Sequence, residues 1–388
     1  MTAPITAKTS YRDVPVDVDA ILDDISRVTA IESPTSSPAG VNAVLDLIAS
    51  WFDGTGASLE RARIADNLGD MLKVRSAQTG GANSGILVLS HVDTVHPIGT
   101  LGGPLPLRRE GDRLYGPGVY DMKGGLTLAV AAFRRLAAAR ATTPLPITFM
   151  FTPDEEVSSP ASRAHIEEEA ARHKYVLVTE PKRDGGQVVT SRKGVGRFVI
   201  ETHGRPAHSG GAHDKGRSAI VAMASIIQDI AGFTDYARGI TTNVGLVSGG
   251  TGVNVIPEHC RINADMRITD MASAKEVEAR FHALKSPDPD VQLKITGGLT
   301  RPPYERGPHI DVLFDKAAAV AEMLGFTLKS GPRTGGGSDG NFTAMMGLPT
   351  LDGLGVDGDG AHTHEEHLLV SSIEPGTRLM QGLFETLV

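Results

Sequence analysis

A chain of 388 residues with 40% hydrophobic and 22% charged positions has the make-up of a folded globular protein, which excludes wholesale disorder. Lysine and arginine number 38 against 46 aspartate and glutamate, a net charge of −8, and there is no basic stripe of the kind that nucleic-acid or anionic-membrane binders need. A single cysteine, Cys260, excludes a disulfide framework and every Cys-rich zinc module, so any bound metal must be held by carboxylates and by some of the 13 histidines. The first 18 residues carry Lys8 and Arg12 but no apolar core of a leader peptide, and no stretch is long and apolar enough to span a bilayer. The expectation is a cytoplasmic protein with no membrane or nucleic-acid partner.

In chain order, residues 18–30 and 41–52 carry apolar side chains at helical spacing, and Gly54 and Gly56 close the second. Residues 86–90 (ILVLS) are a short apolar run, expected for a strand buried on both faces. A Gly/Pro-rich span over 97–118 leads into an Ala/Leu-rich helix over 124–140. A second buried strand over 146–151, a helix over 161–172 and a third strand over 175–179 follow. Strands alternating with helices imply a mostly parallel α/β sheet.

The pattern changes near residue 190. Strand-like segments at 197–203, 241–247, 260–268 and 291–296 enclose helical ones at 218–230 and 272–284. That order, β-α-β-β-α-β, is the split ferredoxin-like unit, and it occupies about 110 residues. After Pro302-Pro303 come a helix over 310–324, the Gly-rich loop 335–340, a short strand near 349–351 and a C-terminal helix. The expected fold is α/β: a discontinuous domain of residues 1–191 and 301–388 with an inserted α+β domain of residues 192–300.

Polar residues cluster where the strands end. His91 and Asp93 (SHVDTV) follow the first strand, and at spacing two they share one side of extended chain, so one can ligate a metal while the other orients its ring. Asp121 (GPGVYDMKGG) stands at the start of a helix. Asp154-Glu155-Glu156 follows the second strand and Glu180 the third. Each alone has a plain reading: a chance H-x-D, a helix cap, a solvated acidic loop. Together they fall at the carboxyl ends of strands, where open α/β sheets bind ligands. His96 and His165 are not at strand ends and read as surface or loop histidines.

Acids clustered without Lys or Arg partners repel unless a cation neutralises them. There are enough for two ions with a bridging carboxylate and a histidine at each, the second histidine coming from His362, His364 or His367 in AHTHEEH. A two-metal site makes hydroxide available at neutral pH, and the unligated carboxylate can serve as general base for amide hydrolysis.

The set SHVDTV, GPGVYDMKGG, PDEE, VTEP, GGGSDG and GAHTHEE resembles the di-zinc metallopeptidases that include glutamate carboxypeptidase, the acetylornithine and succinyl-diaminopimelate deacylases and the aminoacylases, over nearly the whole chain. The resemblance implies two Zn2+ per subunit, with Co2+ or Mn2+ able to substitute. Asp121 would bridge them, His91 and Glu180 complete one site, and Glu156 and His362 complete the other. It implies Glu155 as the general base acting on a metal-bridging hydroxide, Asp93 as the partner of His91, and a cis peptide between Asp121 and Met122. His362 is preferred because the family pattern is His-Ser/Thr, two variable residues, then an acid, here His362-Thr363-His364-Glu365-Glu366.

The resemblance extends to the inserted domain as a dimerisation (lid) domain. His208 in GRPAHS matches a histidine that stabilises the oxyanion in the partner subunit's site. Asn254 and Arg267 match positions that bind the substrate's free carboxylate, which implies a homodimer. Arg301, Lys193 and the glycine-rich run containing Gly337 fit a substrate with more than one carboxylate, since an Arg fork suits that group. The implied activity is release of a C-terminal glutamate from N-acyl conjugates, folate-type or peptide. The alternatives are an N-acyl-amino-acid deacylase and a catalytically silent binding relative, the latter disfavoured by the intact Glu155. The run GGGSDG lacks the Lys-Ser/Thr of a phosphate loop.

Overall fold

The computed structural model describes residues 10–78, 84–183 and 185–388, so Lys8 lies outside the described residues. The chain divides into two compact units, one of Met1–Thr190, Arg306–Arg333 and Ser338–Val388, the other of Ser191–Glu305 with Thr334–Gly337.

The larger unit is built on a six-stranded sheet in the order Ser58–Ala62, Met71–Arg75, Ile147–Thr152, Gly85–His91, His173–Val178, Thr350–Leu351. The last four run parallel, and the first two are antiparallel additions at one edge. The apolar runs are buried on both faces, as continuous hydrophobic strands require. Ile86 and Val88 pack with Phe149 and Leu177 against the helices Val18–Thr29, Pro38–Ser50, Gly124–Ala138 and Ile373–Thr386. Leu87 and Leu89, on the alternate face, pack with Met150, Val176, Ile166 and Phe342. A small antiparallel sheet, Gly358–Asp359, His367–Leu369, Arg113–Tyr115 and Arg108–Glu110, joins the segment before Asp121 to the segment after His362. Sequence patterning left its first half inside a Gly/Pro-rich span, because strands of two or three residues are too short for a period to show.

In the smaller unit the antiparallel sheet Thr241–Gly249, His259–Ile268, Gly194–His203, Gln292–Arg301 carries both helices, Ala219–Ala231 and Met271–His282, on one face. This is the ferredoxin-like order. Phe198, Ile200, Ile262 and Met266 alternate into the core against Met223, Ile226, Val277 and Phe281. No helix among the described residues is long and apolar enough to cross a membrane.

One charged cluster sits at the end of the larger sheet away from His91. Glu169, 1% exposed, accepts hydrogen bonds from Lys73 (3.0 Å) and Arg75 (2.8 Å). Burial alone would raise its pKa, but Lys73 and Arg75 hold it below the ordinary glutamate value. A depressed folded pKa means stability that is present above the ordinary carboxylate range and lost as pH falls through the folded value. Glu169→Gln, which leaves Lys73 without its charge partner, should cost about 3 kcal/mol at pH 7. Chemical unfolding at pH 7 and pH 4 should show the gap to wild type narrowing in acid.

Candidate metal centre

The parallel strands deliver their carboxyl ends to one edge, and the expected residues meet there. Gly85–His91 ends on His91 itself, the segment after Ile147–Thr152 carries Glu155 and Glu156, and Glu180 stands two residues beyond His173–Val178. Asp121 precedes the helix Gly124–Ala138, and its peptide bond to Met122 is cis.

Asp121 offers one oxygen to each histidine. Oδ1 lies 3.2 Å from His91 Nε2, and Oδ2 lies 3.4 Å from His362 Nε2. His91 Nε2 is also 3.7 Å from Glu180, and His362 Nε2 is 3.3 Å from Glu156. The other ring nitrogen of His91 donates to the Asp93 carbonyl oxygen at 2.9 Å, closer than the Asp93 carboxylate at 3.5 Å. With Nδ1 as the donor, Nε2 keeps a lone pair for a metal. The Asp93 carboxylate accepts from Thr35 Oγ1 at 2.6 Å and from the N–H groups of Glu155 and Glu156 at 3.2 Å each. Asp93 therefore holds the acidic turn as well as the ring beside it. His362 adopts φ 64°, a left-handed backbone uncommon for a side-chain-bearing residue and often found at functional sites.

These residues suit divalent cations. Two overlapping groups, His91–Glu155–Glu180 and His91–Asp121–Glu156, bring their ligand atoms within 4.8 Å of one another. Glu156 Oε1 is buried with no hydrogen-bond partner among the described residues. Burial opposes charge on His91, yet Asp121 and Asp93 carry its pKa well above the ordinary imidazole value. His362 is pushed up to about 11 by Asp121 and then Glu156. Burial raises Glu156, while Asp121 is held far below the carboxylate range by the two histidines against its own burial. Protons on the imidazoles thus supply positive charge that the acids demand, and a metal would replace them.

Two residues depart from the sequence reading. His96 is not a surface histidine: it is 5% exposed, with Nε2 2.6 Å from Glu366. Glu366, 1% exposed, also accepts from the N–H groups of Gly118, Tyr120 and Asp121, all at 3.0 Å. The one signal for it was its place as the acid closing the HTHEE pattern. His165, on the helix Arg163–Ala170, is half-buried, and His364 is exposed.

In the smaller unit, His208 is exposed, and its Nδ1 accepts from the N–H groups of Gly210 and Gly211 at 3.1 Å each, which leaves the proton on Nε2. Asn254 is exposed, its carbonyl oxygen accepting from Ser209 N–H. Arg267 differs from a waiting carboxylate receptor: its fork is paired with Asp265 at 2.8 and 3.0 Å, and a further N–H donates to the Gly335 carbonyl. Lys193 donates to the Gly239 carbonyl. Arg301 is buried, and Gly337 makes room for its stem, since a Cβ there would lie 2.7 Å from Arg301 Cδ.

Comparison with known proteins gives a family match over residues 87–386, to "Peptidase family M20/M25/M40". The chain is 31% identical to carboxypeptidase G2 of Pseudomonas sp. strain RS-16 over 91% of its length and 86% of the relative's. It is 27% identical to succinyl-diaminopimelate desuccinylase of Paracidovorax citrulli, over 92% and 95%. In fold it is similar to an M20 family metallo-carboxypeptidase from Sulfolobus solfataricus, with a TM-score of 0.75 and 14% identity over 94% of this chain and 98% of that one.

The geometry of the centre depends on one close backbone approach. A Cβ on Gly125 would lie 2.0 Å from the Thr179 carbonyl oxygen, beside Glu180, and 3.0 Å from Gly355 Cα. Helix propensity alone predicts that Gly125→Ala stabilises by up to about 1 kcal/mol. The contact predicts the opposite sign, a loss of about 1–3 kcal/mol, because neither neighbour is a side chain that can swing away. Thermal or chemical unfolding decides between them.

Proposed function

The chain belongs to peptidase family M20/M25/M40, a family of metal-dependent hydrolases, and from that premise we propose that it releases a C-terminal glutamate from N-acyl conjugates, folate-type or short-peptide. The observation that carries the reading is Asp121, placed between two histidines with one oxygen toward each. Similarity to carboxypeptidase G2 supports the choice of bond.

His91, Asp121 and Glu180 would hold one divalent ion, and Asp121, Glu156 and His362 a second, zinc being the preferred metal with cobalt or manganese as substitutes. Bound metal of this kind acidifies a water molecule and polarises the scissile carbonyl. Glu155, whose carboxylate groups with the His91 imidazole and the Glu180 carboxylate, takes a proton from the attacking water. It returns that proton to the amide nitrogen as the C–N bond breaks, so water is divided between the new carboxylic acid and the freed amino group. Asp93 keeps His91 in the right tautomer and fixes the Glu155–Glu156 turn.

The smaller unit, as a dimerisation (lid) domain, supplies recognition. His208, with its proton on Nε2, would stabilise the oxyanion in the partner subunit's site. Asn254, Arg267, Arg301, Lys193 and Gly337 would form the contacts to substrate carboxylates, Arg267 exchanging Asp265 for the ligand. A homodimer is supported by the apolar side chains exposed on this unit, among them Val221, Leu246, Val247 and Val253. The second reading, an N-acyl-amino-acid deacylase, is favoured by the similarity to the desuccinylase.

A hydrolysis panel with zinc present separates the two. The carboxypeptidase reading predicts that p-aminobenzoyl-glutamate and other N-acyl-glutamates exceed N-acetylornithine and N-succinyl-diaminopimelate in kcat/KM; the reverse order would install the deacylase reading. Glu155→Gln should retain metal and lose about 10²–10⁴-fold in kcat. Chelation should abolish turnover, and added zinc or cobalt should restore it.

A further inference from the structure

A carboxylate outside the ligand set ties the ligand-bearing turns together. Glu366 is four residues from His362, and its side chain reaches across to the turn that ends in Asp121. Oε1 accepts from Tyr120 N–H and Asp121 N–H at 3.0 Å each. Oε2 accepts from Gly118 N–H at 3.0 Å and from His96 Nε2 at 2.6 Å. A carboxylate that is 1% exposed is tolerated only with its lone pairs filled, and here four donors converge on it.

The surroundings direct this clamp at the metal centre. Gly118 has φ 73°, and a Cβ there would lie 2.4 Å from Thr94 Cγ2, so the turn has little room to shift. The strand His367–Leu369 starts at the residue after Glu366 and pairs with Arg113–Tyr115, which stiffens both arms of the clamp. Held by its own N–H, Asp121 cannot rotate its backbone, and that orientation decides whether its two oxygens face His91 and His362 at once.

We propose that Glu366, supported by His96, is the positioning residue of the metal centre: one buried carboxylate sets the Gly118–Asp121 turn and the His362 loop in a common frame. The inference rests on the metal-hydrolase reading above. A glutamine at 366 keeps the size but turns one acceptor into an NH2 donor, which must face either the backbone N–H groups or His96. Loss of such an outer partner typically weakens metal binding about 10–100-fold.

The test is competition between the full-length protein and a chromophoric chelator for Zn2+, read alongside thermal unfolding of the metal-free chain. Glu366→Gln should weaken zinc binding at least about 10-fold, and His96→Asn, which removes one of four donors, by a smaller factor. Glu169→Gln, an equally buried carboxylate at the opposite end of the strands, is the control: it should lower the unfolding temperature and leave zinc affinity unchanged. Should Glu366→Gln not fold, His96→Asn carries the decision alone. Zinc affinity equal to wild type in every folded variant would overturn the inference while leaving the hydrolase reading standing. A wild-type protein that binds neither zinc nor cobalt nor manganese would overturn the metal-site assignment, and the inference with it.

Discussion

The structure is organised by a charge problem. Asp93, Asp121, Glu155, Glu156 and Glu180 crowd one edge of a parallel sheet, and Asp93, Glu155 and Glu180 are almost fully buried. Acids this close can remain ionised only if positive charge is placed among them. His91 and His362 supply it to Asp121, and each takes a different oxygen of that one carboxylate. Three neighbouring groups hold that arrangement: the Asp93 carbonyl behind His91, the Asp93 carboxylate under the Glu155–Glu156 turn, and Glu366 behind Asp121.

The fold makes such crowding affordable by committing the rest of the sheet to burial. Both faces of the strands are covered by apolar side chains, so the strand ends are rigid and their spacing is set by backbone pairing. Gly125 and Gly355 let the helix start and the Glu180 strand end come into backbone contact, where any side chain would hold them apart. Short loops and two-residue strands then bring in the chemistry, which is why the site combines a stiff base with irregular backbone at Asp121 and His362.

Much of this was legible in the sequence, for a physical reason. A strand buried on both faces must be continuously apolar, so the residue at which polarity resumes marks its carboxyl end; His91, Glu155 and Glu180 were found that way. The two antiparallel strands were not: Ser58–Ala62, at the edge, is largely exposed, and Met71–Arg75 is short and broken by Lys73, so neither has an apolar run to read. His96 was misread because its burial depends on Glu366, 270 residues away, a pairing that no local pattern encodes. Arg267 matched a carboxylate-binding position, yet sequence alone could not say that Asp265, two residues earlier on the same strand, already occupies its fork. His362 was separable from His364 only through the family resemblance, because both occupy the same kind of loop.

The central claim is that Asp121 joins two metal sites. Anomalous diffraction from crystals of the zinc-loaded protein tests it most directly. Two peaks per chain are expected, one among His91, Asp121 and Glu180 and the other among Asp121, Glu156 and His362. A single peak, or two peaks that do not share Asp121, would contradict it.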